Sequence, residues 1–371
     1  MVNGQPARLA IGESINCTFV LIHNSLLTIH EKYMHRCLQL AGSGAGYVAP
    51  NPMVAAVLVY KDKIIGEGYH QQFGGPHAEV NCINSVKEEN QNLISLSTLY
   101  VSLEPCAHFG KTPPCTDLII ANKIPEVVIG CRDPFTEVNG KGIEKLKAAG
   151  INVAYGILEK ECHQINKRFF TFHTQHRPYI ILKWAETADR KIAANVTERL
   201  FISNEQTNRL VHKWRSEEAS ILVGTNTALF DDPELTTRYW DGPSPVRLVV
   251  DMDLSLPSSL KIFNEKQRTI IFNTVKHGEE GNLIYYQLTE DVSLIHQIVN
   301  ALYQVKIQSV LVEGGARLLQ SFIDEKLYDE IRVIRNEKLI INNGLEAPEM
   351  ELKTVDEEMK ILDDSIKIYH K

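Results

Sequence analysis

The sequence has few cysteines, no long apolar run and no excess of basic residues. Seven cysteines among 371 residues are too few, and odd in number, for the disulfide framework of a small secreted protein, so a cytoplasmic location is expected. No segment approaches the roughly 18 consecutive apolar residues of a transmembrane helix, so no membrane contact is expected. The formal net charge of −7 argues against nucleic acid as a partner, because such proteins bind phosphates with clustered lysine and arginine.

The composition is that of ordinary globular domains. Hydrophobic residues make up 44% and charged residues 23% of the chain, which excludes disordered and collagen-like proteins. At about 150 residues per domain, the length predicts two domains. The polar stretch 170–177 marks a boundary between a first domain at 32–175 and a second at 176–371. We expect residues 1–31 to form a poorly ordered extension, because their short apolar run lacks the basic region of a signal peptide.

Short apolar runs alternate with amphipathic segments in both halves. This alternation predicts an α/β fold in which each half has a mostly parallel sheet covered on both faces. Ser203 and Gln206 form a capping-box pattern that predicts the start of a helix running to about Arg215. The stretch 224–238 is polar and is expected to be a loop, which is either a binding segment or a plain surface turn.

A candidate metal site is the strongest chemical signal. His77 lies in Gly-Pro-His-Ala-Glu, and Cys106 and Cys115 follow in Glu-Pro-Cys-(x8)-Cys. One imidazole and two thiolates are zinc ligand types, and three ligands leave a fourth position for water. Glu79 is two residues from His77 and points elsewhere, so it suits a general acid and base. Each part alone is weak, since free cysteines are often buried in cores, but together they have the layout of zinc deaminases.

Three longer segments resemble the bifunctional deaminase/reductase family of riboflavin biosynthesis. They are APNPMV, GEGYHQQFGGPHAEV and EPCAHFGKTPPC. The resemblance implies a cytidine-deaminase-like three-layer α/β/α domain, followed by a dihydrofolate-reductase-like α/β domain. It further implies one Zn²⁺ per chain, held by His77, Cys106 and Cys115, with Glu79 as the catalytic proton donor.

The same resemblance implies the reactions. The first domain is expected to deaminate 2,5-diamino-6-ribosylamino-4(3H)-pyrimidinone 5′-phosphate, and the second to reduce its ribosyl group with NADPH. The partner is thus a small phosphorylated pyrimidine, and we expect a homo-oligomer. Substrate contacts in the first domain are carried over to Asn51, His70, His108 and Lys111. Ala55 departs from the family pattern, which has glycine there.

The second half contains a glycine turn but no G-x-G-x-x-G fingerprint. Residues 312–317 (VEGGAR) lie between an apolar strand and an apolar helix, where a helix N-terminus favours an anion, although the turn could equally be structural. The resemblance implies NADPH contacts at Ala185, Phe201, Thr227, Asp231, Gly315, Ala316, Arg317, Leu318, Leu319, Gln320 and Ser321. It implies substrate contacts at Lys183, Arg199, Arg215, Leu235, Arg238 and Glu313.

Three departures from the family pattern lie in the second half, at Arg190, Arg199 and Phe201. Arginine adopts a positive φ less readily than the glycine usual at position 190, so we expect a rebuilt loop there. These departures leave open a deaminase whose second domain is an inactive scaffold. A nucleic-acid-editing zinc deaminase is the other alternative, but the sequence lacks the basic stripe and interleaved aromatics that it requires.

Overall fold

The chain forms two α/β units, each built around its own β-sheet. The computed structural model describes residues 28–109, 113–135, 138–194, 200–351 and 354–371. Nearly all of the expected extension at 1–31 lies outside these residues. Within the described ranges, no helix is both long enough and apolar enough to cross a membrane.

The first unit is a five-stranded sheet between two layers of helices. Its strands are β1 (Ala55–Tyr60), β2 (Lys63–Tyr69), β3 (Thr98–Leu103), β4 (Glu126–Cys131) and β5 (Asn152–Tyr155). Their order is β2-β1-β3-β4-β5, with β1 antiparallel to both neighbours and β3, β4 and β5 parallel. The helices are α1 (Ile29–Gly42), α2 (Ala78–Asn84), α3 (Cys115–Ala121), α4 (Lys141–Ala148), α5 (Glu159–Ile165) and α6 (Lys167–Gln175).

Both faces of this first sheet are buried. One face packs against α2, α3 and α4 through residues such as Cys82, Ile119 and Leu146, and the other against α1 and α5 through Met34 and Cys162. A sheet covered on both sides explains why β1, β3 and β4 are nearly continuous apolar runs. The expected three-layer α/β/α domain is confirmed, although the sheet is mixed rather than mostly parallel.

The second unit is organised around a ten-stranded sheet with the order β11-β12-β10-β9-β8-β13-β6-β14-β17-β16. The sheet is parallel from β12 to β14 and antiparallel at both edges. Its strands are β6 (Tyr179–Glu186), β8 (Ser220–Val223), β9 (Val246–Val250), β10 (Thr269–Asn273), β11 (Gly278–Glu280), β12 (Leu283–Gln287), β13 (Ser309–Val312), β14 (Glu330–Asn336), β16 (Glu357–Ile361) and β17 (Asp364–His370). A separate pair is formed by β7 (Lys191–Ala194) and β15 (Gly344–Glu346).

Four helices accompany the second sheet. They are α7 (Glu205–Glu217), α8 (Thr225–Asp231), α9 (Leu294–Gln304) and α10 (Ala316–Asp324). The largest apolar cluster of this unit joins the sheet to α9 and α10 through residues such as Ile298, Leu302 and Phe322. The expected α/β reductase-type domain is confirmed.

The polar stretch 170–177, which we take as the domain boundary, is mostly helical, because Phe169 and Phe172 bury one face of α6. Two sequence-based expectations about local structure are wrong. Residues 224–238 begin with the helix α8, whose buried side chain is Ala228. The N-cap of α7 is Asn204 rather than Ser203, since the Asn204 side chain accepts a hydrogen bond from the Thr207 N–H.

Arg190 also differs from expectation, because it takes up the left-handed conformation itself. Its φ is +61°, in the region that favours glycine. Its N–H donates to the carbonyl of Thr187 at 3.0 Å, and its guanidinium donates to the carbonyl of Pro348 at 3.0 Å. The turn is therefore made with arginine in place. The methyl group of Ala55 is likewise accommodated, fully buried in β1.

The helix α6 joins the two units. Arg168 forms a buried ion pair with Glu218 of the second unit, and Lys167 pairs with Glu330 at 2.6 Å. The ring of Phe172 lies 4.8 Å from that of Tyr303, at the end of α9. These contacts bring the end of α9 to the first unit, next to the site described below.

Candidate active sites

Three residues of the first unit converge in the geometry of a metal site. The ligand atoms of His77, Cys106 and Cys115 lie within 4.8 Å of one another. The Nδ1 atom of His77 is 3.3 Å from Sγ of Cys115 and 3.7 Å from Sγ of Cys106. An imidazole nitrogen and two thiol sulfurs facing a common point are the donor set of a zinc site with one position left open.

Helix starts position this donor set. His77 is the N-cap of α2 and Cys115 is the first residue of α3, so the positive ends of two helix dipoles point at the sulfurs. The backbone N–H of Cys115 donates to Sγ of Cys106 at 3.3 Å. A hydrogen bond from the Cys115 thiol, aided by His77, lowers the pKa of the Cys106 thiol to about 4, and the same contact raises the pKa of the Cys115 thiol. The loop is therefore built to hold a thiolate, which is the form that binds metal.

Glu79 lies in the first turn of α2, beside this donor set but not part of it. The side chain is buried, and burial raises the pKa of its carboxyl group. It also lines the cavity that His77 and Cys106 line. A buried carboxyl group beside a metal centre can accept a proton and return it.

Glu104 fixes the loop that carries Cys106. Its buried carboxylate accepts hydrogen bonds from the N–H groups of Gly140 (3.0 Å), Gly142 (2.9 Å) and Ile143 (3.2 Å), at the start of α4. A carboxylate at a helix N-terminus satisfies free N–H groups and complements the helix dipole. Glu104 has no role predicted from the sequence, although its place directly after β3 is a usable signal.

Asn51 and His70 form a hydrogen-bonded pair beside His77. Nδ1 of His70 donates to the carbonyl of Pro76 at 2.9 Å, so Nε2 of His70 accepts from the amide of Asn51 at 3.0 Å. Burial lowers the pKa of His70, which keeps the ring neutral and this pairing fixed. His108 also lines the cavity, and its Nδ1 is buried with no hydrogen-bond partner. Lys111 lies outside the described residues.

A cavity of about 570 Å³ is lined by Asn51, His70, His77, Glu79, Glu104, Cys106 and His108. Its wall also includes residues that the sequence analysis missed: Asp133, Phe135, Phe169, Phe172, His173, Tyr303 and Lys306. Asp133 follows β4, and side chains at the carboxyl ends of parallel strands often form sites, so its position was a usable signal. Burial raises the pKa of Asp133 to about 7. Nothing in the sequence pattern pointed to Tyr303 or Lys306.

A second cluster of charged residues lies at the carboxyl edge of the second sheet. Arg215 donates to both carboxylate oxygens of Glu313, at 2.8 and 2.7 Å, and Nζ of Lys183 is 3.8 Å from Glu313. Burial alone would raise the pKa of Glu313, but the charges of Arg215 and Lys183 outweigh it and lower the pKa to about 2. The sequence analysis expected these three residues in one site, and the structure brings them together.

Arg238 and His212 lie next to this cluster. The N–H of Arg238 donates to Nδ1 of His212 at 3.1 Å, and a donor of Arg215 lies 3.3 Å from the carbonyl of Thr236. Burial and the charge of Arg215 lower the pKa of His212 to about 4. The guanidinium of Arg238 is exposed, with a 3.9 Å contact to Glu234. Leu235 is buried in the neighbouring apolar cluster.

The glycine turn lies between β13 and α10, against the start of α8. The N–H of Gly224 donates to the carbonyl of Gly314 at 3.0 Å. A Cβ atom added to Gly315 would lie only 3.2 Å from Oγ1 of Thr227, so the turn packs closely against Thr227. Gly315 is the N-cap of α10 and provides no side-chain cap. The first N–H groups of α10 therefore have no side-chain cap, and an uncapped helix start suits an anion.

The remaining expected cofactor residues differ in what they can offer. Ala185 lies on β6 and Asp231 ends α8, while Phe201 is 69% exposed. Within α10, Leu318 and Leu319 pack into the core, and Gln320 is hydrogen-bonded to the backbone of Glu349. Gly315, Ala316, Arg317 and Ser321 complete the segment. Arg199 lies outside the described residues.

Family models match both units. Residues 27–131 match the cytidine and deoxycytidylate deaminase zinc-binding region, and residues 178–340 match the RibD C-terminal domain. The chain is 39% identical over 338 residues to the riboflavin biosynthesis protein RibD of Aquifex aeolicus (strain VF5), covering 90% of this chain and 94% of that protein.

The chain belongs to the RibD family. The RibD of Escherichia coli (strain K12) is 33% identical, over 84% of this chain and 88% of that protein. The solved structure of the diaminohydroxyphosphoribosylaminopyrimidine deaminase/5-amino-6-(5-phosphoribosylamino)uracil reductase of Thermotoga maritima is 36% identical, with a TM-score of 0.84 over 92% of this chain and 98% of that one. The structure of Acinetobacter baumannii RibD (form 1) is 28% identical, with a TM-score of 0.82 over 92% of this chain and 98% of that one.

As a RibD protein, the chain is a bifunctional enzyme of riboflavin biosynthesis, with a zinc-binding deaminase domain and a reductase domain that uses a nucleotide cofactor. The recognition from sequence motifs is thereby confirmed. Neither the scaffold alternative nor the nucleic-acid-editing alternative is favoured.

Proposed function

We propose that the first unit deaminates 2,5-diamino-6-ribosylamino-4(3H)-pyrimidinone 5′-phosphate and that the second unit reduces the product with NADPH. The final product would be 5-amino-6-ribitylamino-uracil 5′-phosphate. The observation that carries the proposal is the convergence of the His77, Cys106 and Cys115 ligand atoms within 4.8 Å, beside the buried Glu79. The Thermotoga maritima relative is named for both activities. The proposed domains are 32–175 and 176–371.

In the deaminase site, His77, Cys106 and Cys115 would hold one zinc ion. Zinc supplies Lewis acidity, which makes a water molecule nucleophilic near neutral pH. Glu79 would take a proton from the attacking water and pass it to the leaving ammonia, so that its carboxyl group ends the cycle unchanged. The paired Asn51 and His70, which have fixed hydrogen bonds, would orient the pyrimidine ring.

His108 and Lys111 complete the proposed substrate contacts of this site. The Nδ1 atom of His108 is buried without a partner, and a buried polar atom gains most from a ligand that satisfies it. Lys111 is proposed from the sequence motif alone.

In the reductase site, the proposed substrate contacts are Lys183, Arg199, Arg215, Leu235, Arg238 and Glu313. Arg215 is held by Glu313 through two hydrogen bonds, whereas the guanidinium of Arg238 is exposed and can turn toward a phosphate. NADPH supplies a hydride. The first turn of α10 would take part of its phosphate charge, with Gly315 to Ser321, Thr227, Asp231, Ala185 and Phe201 around it.

Two further proposals follow from the family rather than from a site. The relatives act in riboflavin biosynthesis by name, so we propose a cytoplasmic enzyme that binds a small phosphorylated substrate and neither nucleic acid nor a membrane. A homo-oligomer is proposed as well, and analytical ultracentrifugation of the purified chain would test it.

A coupled assay tests the proposed function. The wild-type enzyme should release ammonia from the pyrimidine phosphate and then oxidise NADPH. Glu79→Gln keeps the shape of the side chain but cannot transfer a proton, so ammonia release should fall at least ~100-fold. Supplied directly with the deaminated intermediate, Glu79→Gln should oxidise NADPH at the wild-type rate. If the wild type released no ammonia, the deaminase proposal would be wrong. If the wild type oxidised NADPH before any deaminated intermediate had formed, the proposed order of the two steps would be wrong.

A further inference from the structure

The cavity of the deaminase site is closed on one side by the second unit. Four of its lining residues follow one another at the end of α9 and just beyond: Tyr303, Gln304, Lys306 and Gln308. The ring of Tyr303 contacts Phe172 of α6 at 4.8 Å and His176 at 5.6 Å. The deamination site is thus incomplete without the second unit.

The backbone at Lys306 is held firmly in place. The N–H of Lys306 donates to the carbonyl of Tyr303 at 3.0 Å, and that of Ile307 to the carbonyl of Leu302 at 2.9 Å. This pattern, with φ of +60° at Lys306, is a Schellman motif that ends a helix. Ile307 is buried, and the carbonyl of Gln308 accepts from the N–H of Tyr179 at 2.9 Å. The stem of Lys306 therefore leaves the chain at a fixed point on the cavity wall.

Charge along the cavity is uneven. Among the described lining residues, three carry carboxyl groups (Glu79, Glu104 and Asp133), and Lys306 alone has a permanent positive charge. Glu79 lies at the buried end and Lys306 is exposed to solvent. The cavity is thus lined both by the buried Glu79, beside the candidate metal ligands, and by an exposed lysine from the second unit.

We propose that Lys306 binds the phosphate group of the deaminase substrate, so that the second unit contributes a binding residue to the first reaction. This inference rests on the proposed function, in which the substrate is a phosphorylated pyrimidine. A ligand whose ring reaches Glu79 places its sugar phosphate toward the open end, where an ammonium group on a flexible four-carbon stem can follow it. Among the described lining residues, Lys306 is the permanent cation that can offset the three carboxyl groups and hold a dianion.

The test compares two substrates and a matched control. Lys306→Ala should raise the KM for the phosphorylated pyrimidine roughly five- to thirtyfold, as expected for one charge-assisted contact near solvent, and Lys306→Arg should restore most of it. The KM for the same compound without its phosphate should not change. Alanine keeps the Cβ atom, so the left-handed backbone is no more strained than before.

Lys326 provides the control, because it has the same helix-ending backbone conformation as Lys306 but lies after α10, outside the cavity lining. It has φ of +53°, its N–H donates to Ile323 at 2.9 Å, and that of Leu327 to Phe322 at 3.0 Å. Lys326→Ala should leave both KM values unchanged. An unchanged KM in Lys306→Ala, or an equal rise for both substrates, would overturn the proposal. A wild-type enzyme that deaminates neither compound would instead overturn the proposed function.

Discussion

At the scale of single residues, the deaminase site depends on which atoms two helix starts present. Cys115 contributes Sγ as a ligand atom and its N–H as a donor to Cys106. Cys106, in turn, follows β3 in a loop held by Glu104. The position of the Cys106 sulfur therefore depends on the start of α3 as well as on the loop after β3.

Cys106→Ser should abolish zinc binding and deamination together, because a hydroxyl group is a poor replacement for a thiolate. Zinc content by atomic absorption and ammonia release would be measured on one preparation. Cys37→Ser is a matched control, since Cys37 is a buried thiol that donates to the carbonyl of Tyr100, a bond that serine can also make. One zinc per chain in Cys106→Ser would show that the ligand assignment is wrong.

Residue types and spacing were sufficient to select the candidate zinc ligands and Glu79, because metal chemistry restricts the choice of side chain. The same was true of Lys183, Arg215 and Glu313 once the family resemblance was available. Asp133, His173 and Lys306 were missed, because a single acid, histidine or lysine in a sequence is most often an ordinary solvent-exposed side chain. Only the fold shows that they line the cavity of His77.

At the scale of elements, the close approach of α4 to the loop that carries Cys106 explains why residue 142 is glycine. A Cβ atom on Gly142 would collide with the carbonyl oxygen of Pro105 and lie 3.1 Å from Oε1 of Glu104. Pro105 directly precedes the ligand Cys106. The start of α4 can therefore reach Glu104 only if residue 142 has no side chain.

Gly142→Ala should destabilise the enzyme by roughly 1–3 kcal/mol, the usual cost of overpacking, and should weaken zinc binding because the loop must shift. Urea unfolding and zinc retention during dialysis against a chelator would measure the two effects. Gly42→Ala is the control, since no atom lies within 4 Å of the added Cβ atom and alanine favours a helix. Equal stability and zinc retention in the two variants would contradict this explanation.

The central strands of the two sheets were predictable as short apolar runs, because both of their faces are buried. The helices that the sequence analysis missed are those whose stability comes from packing. The polar sequence of α6 offers little beyond Phe169 and Phe172, and α8 buries only Ala228. These helices are too short to show a clear apolar periodicity in the sequence, and tertiary contacts decide whether they form.

At the scale of the whole molecule, α6 holds the two units together through buried charges. Lys167 pairs with Glu330, which also contacts Arg332 at 2.6 Å. Burial would raise the pKa of Glu330, but Arg332 and Lys167 lower it to about 2, compared with 4.5 in the unfolded chain. The stability that this group contributes is therefore complete above about pH 4.5 and is lost as the pH falls toward 2.

Lys167→Met should lower the free energy of unfolding at pH 7 by roughly 1–2 kcal/mol, because the buried carboxylate loses one of its two cations. The pKa of Glu330 in the folded state should rise, so the loss of stability between pH 4.5 and 2 should become smaller than in the wild type. All three tryptophans (Trp184, Trp214 and Trp240) lie in the second unit, and fluorescence during urea unfolding would follow that unit at each pH. Lys338→Met breaks an exposed pair with Asp363 in the same unit, 2.7 Å long, and should change stability by less than ~0.5 kcal/mol. If the two variants lost the same stability and kept the same pH dependence, the contact between α6 and β14 would not be what joins the units.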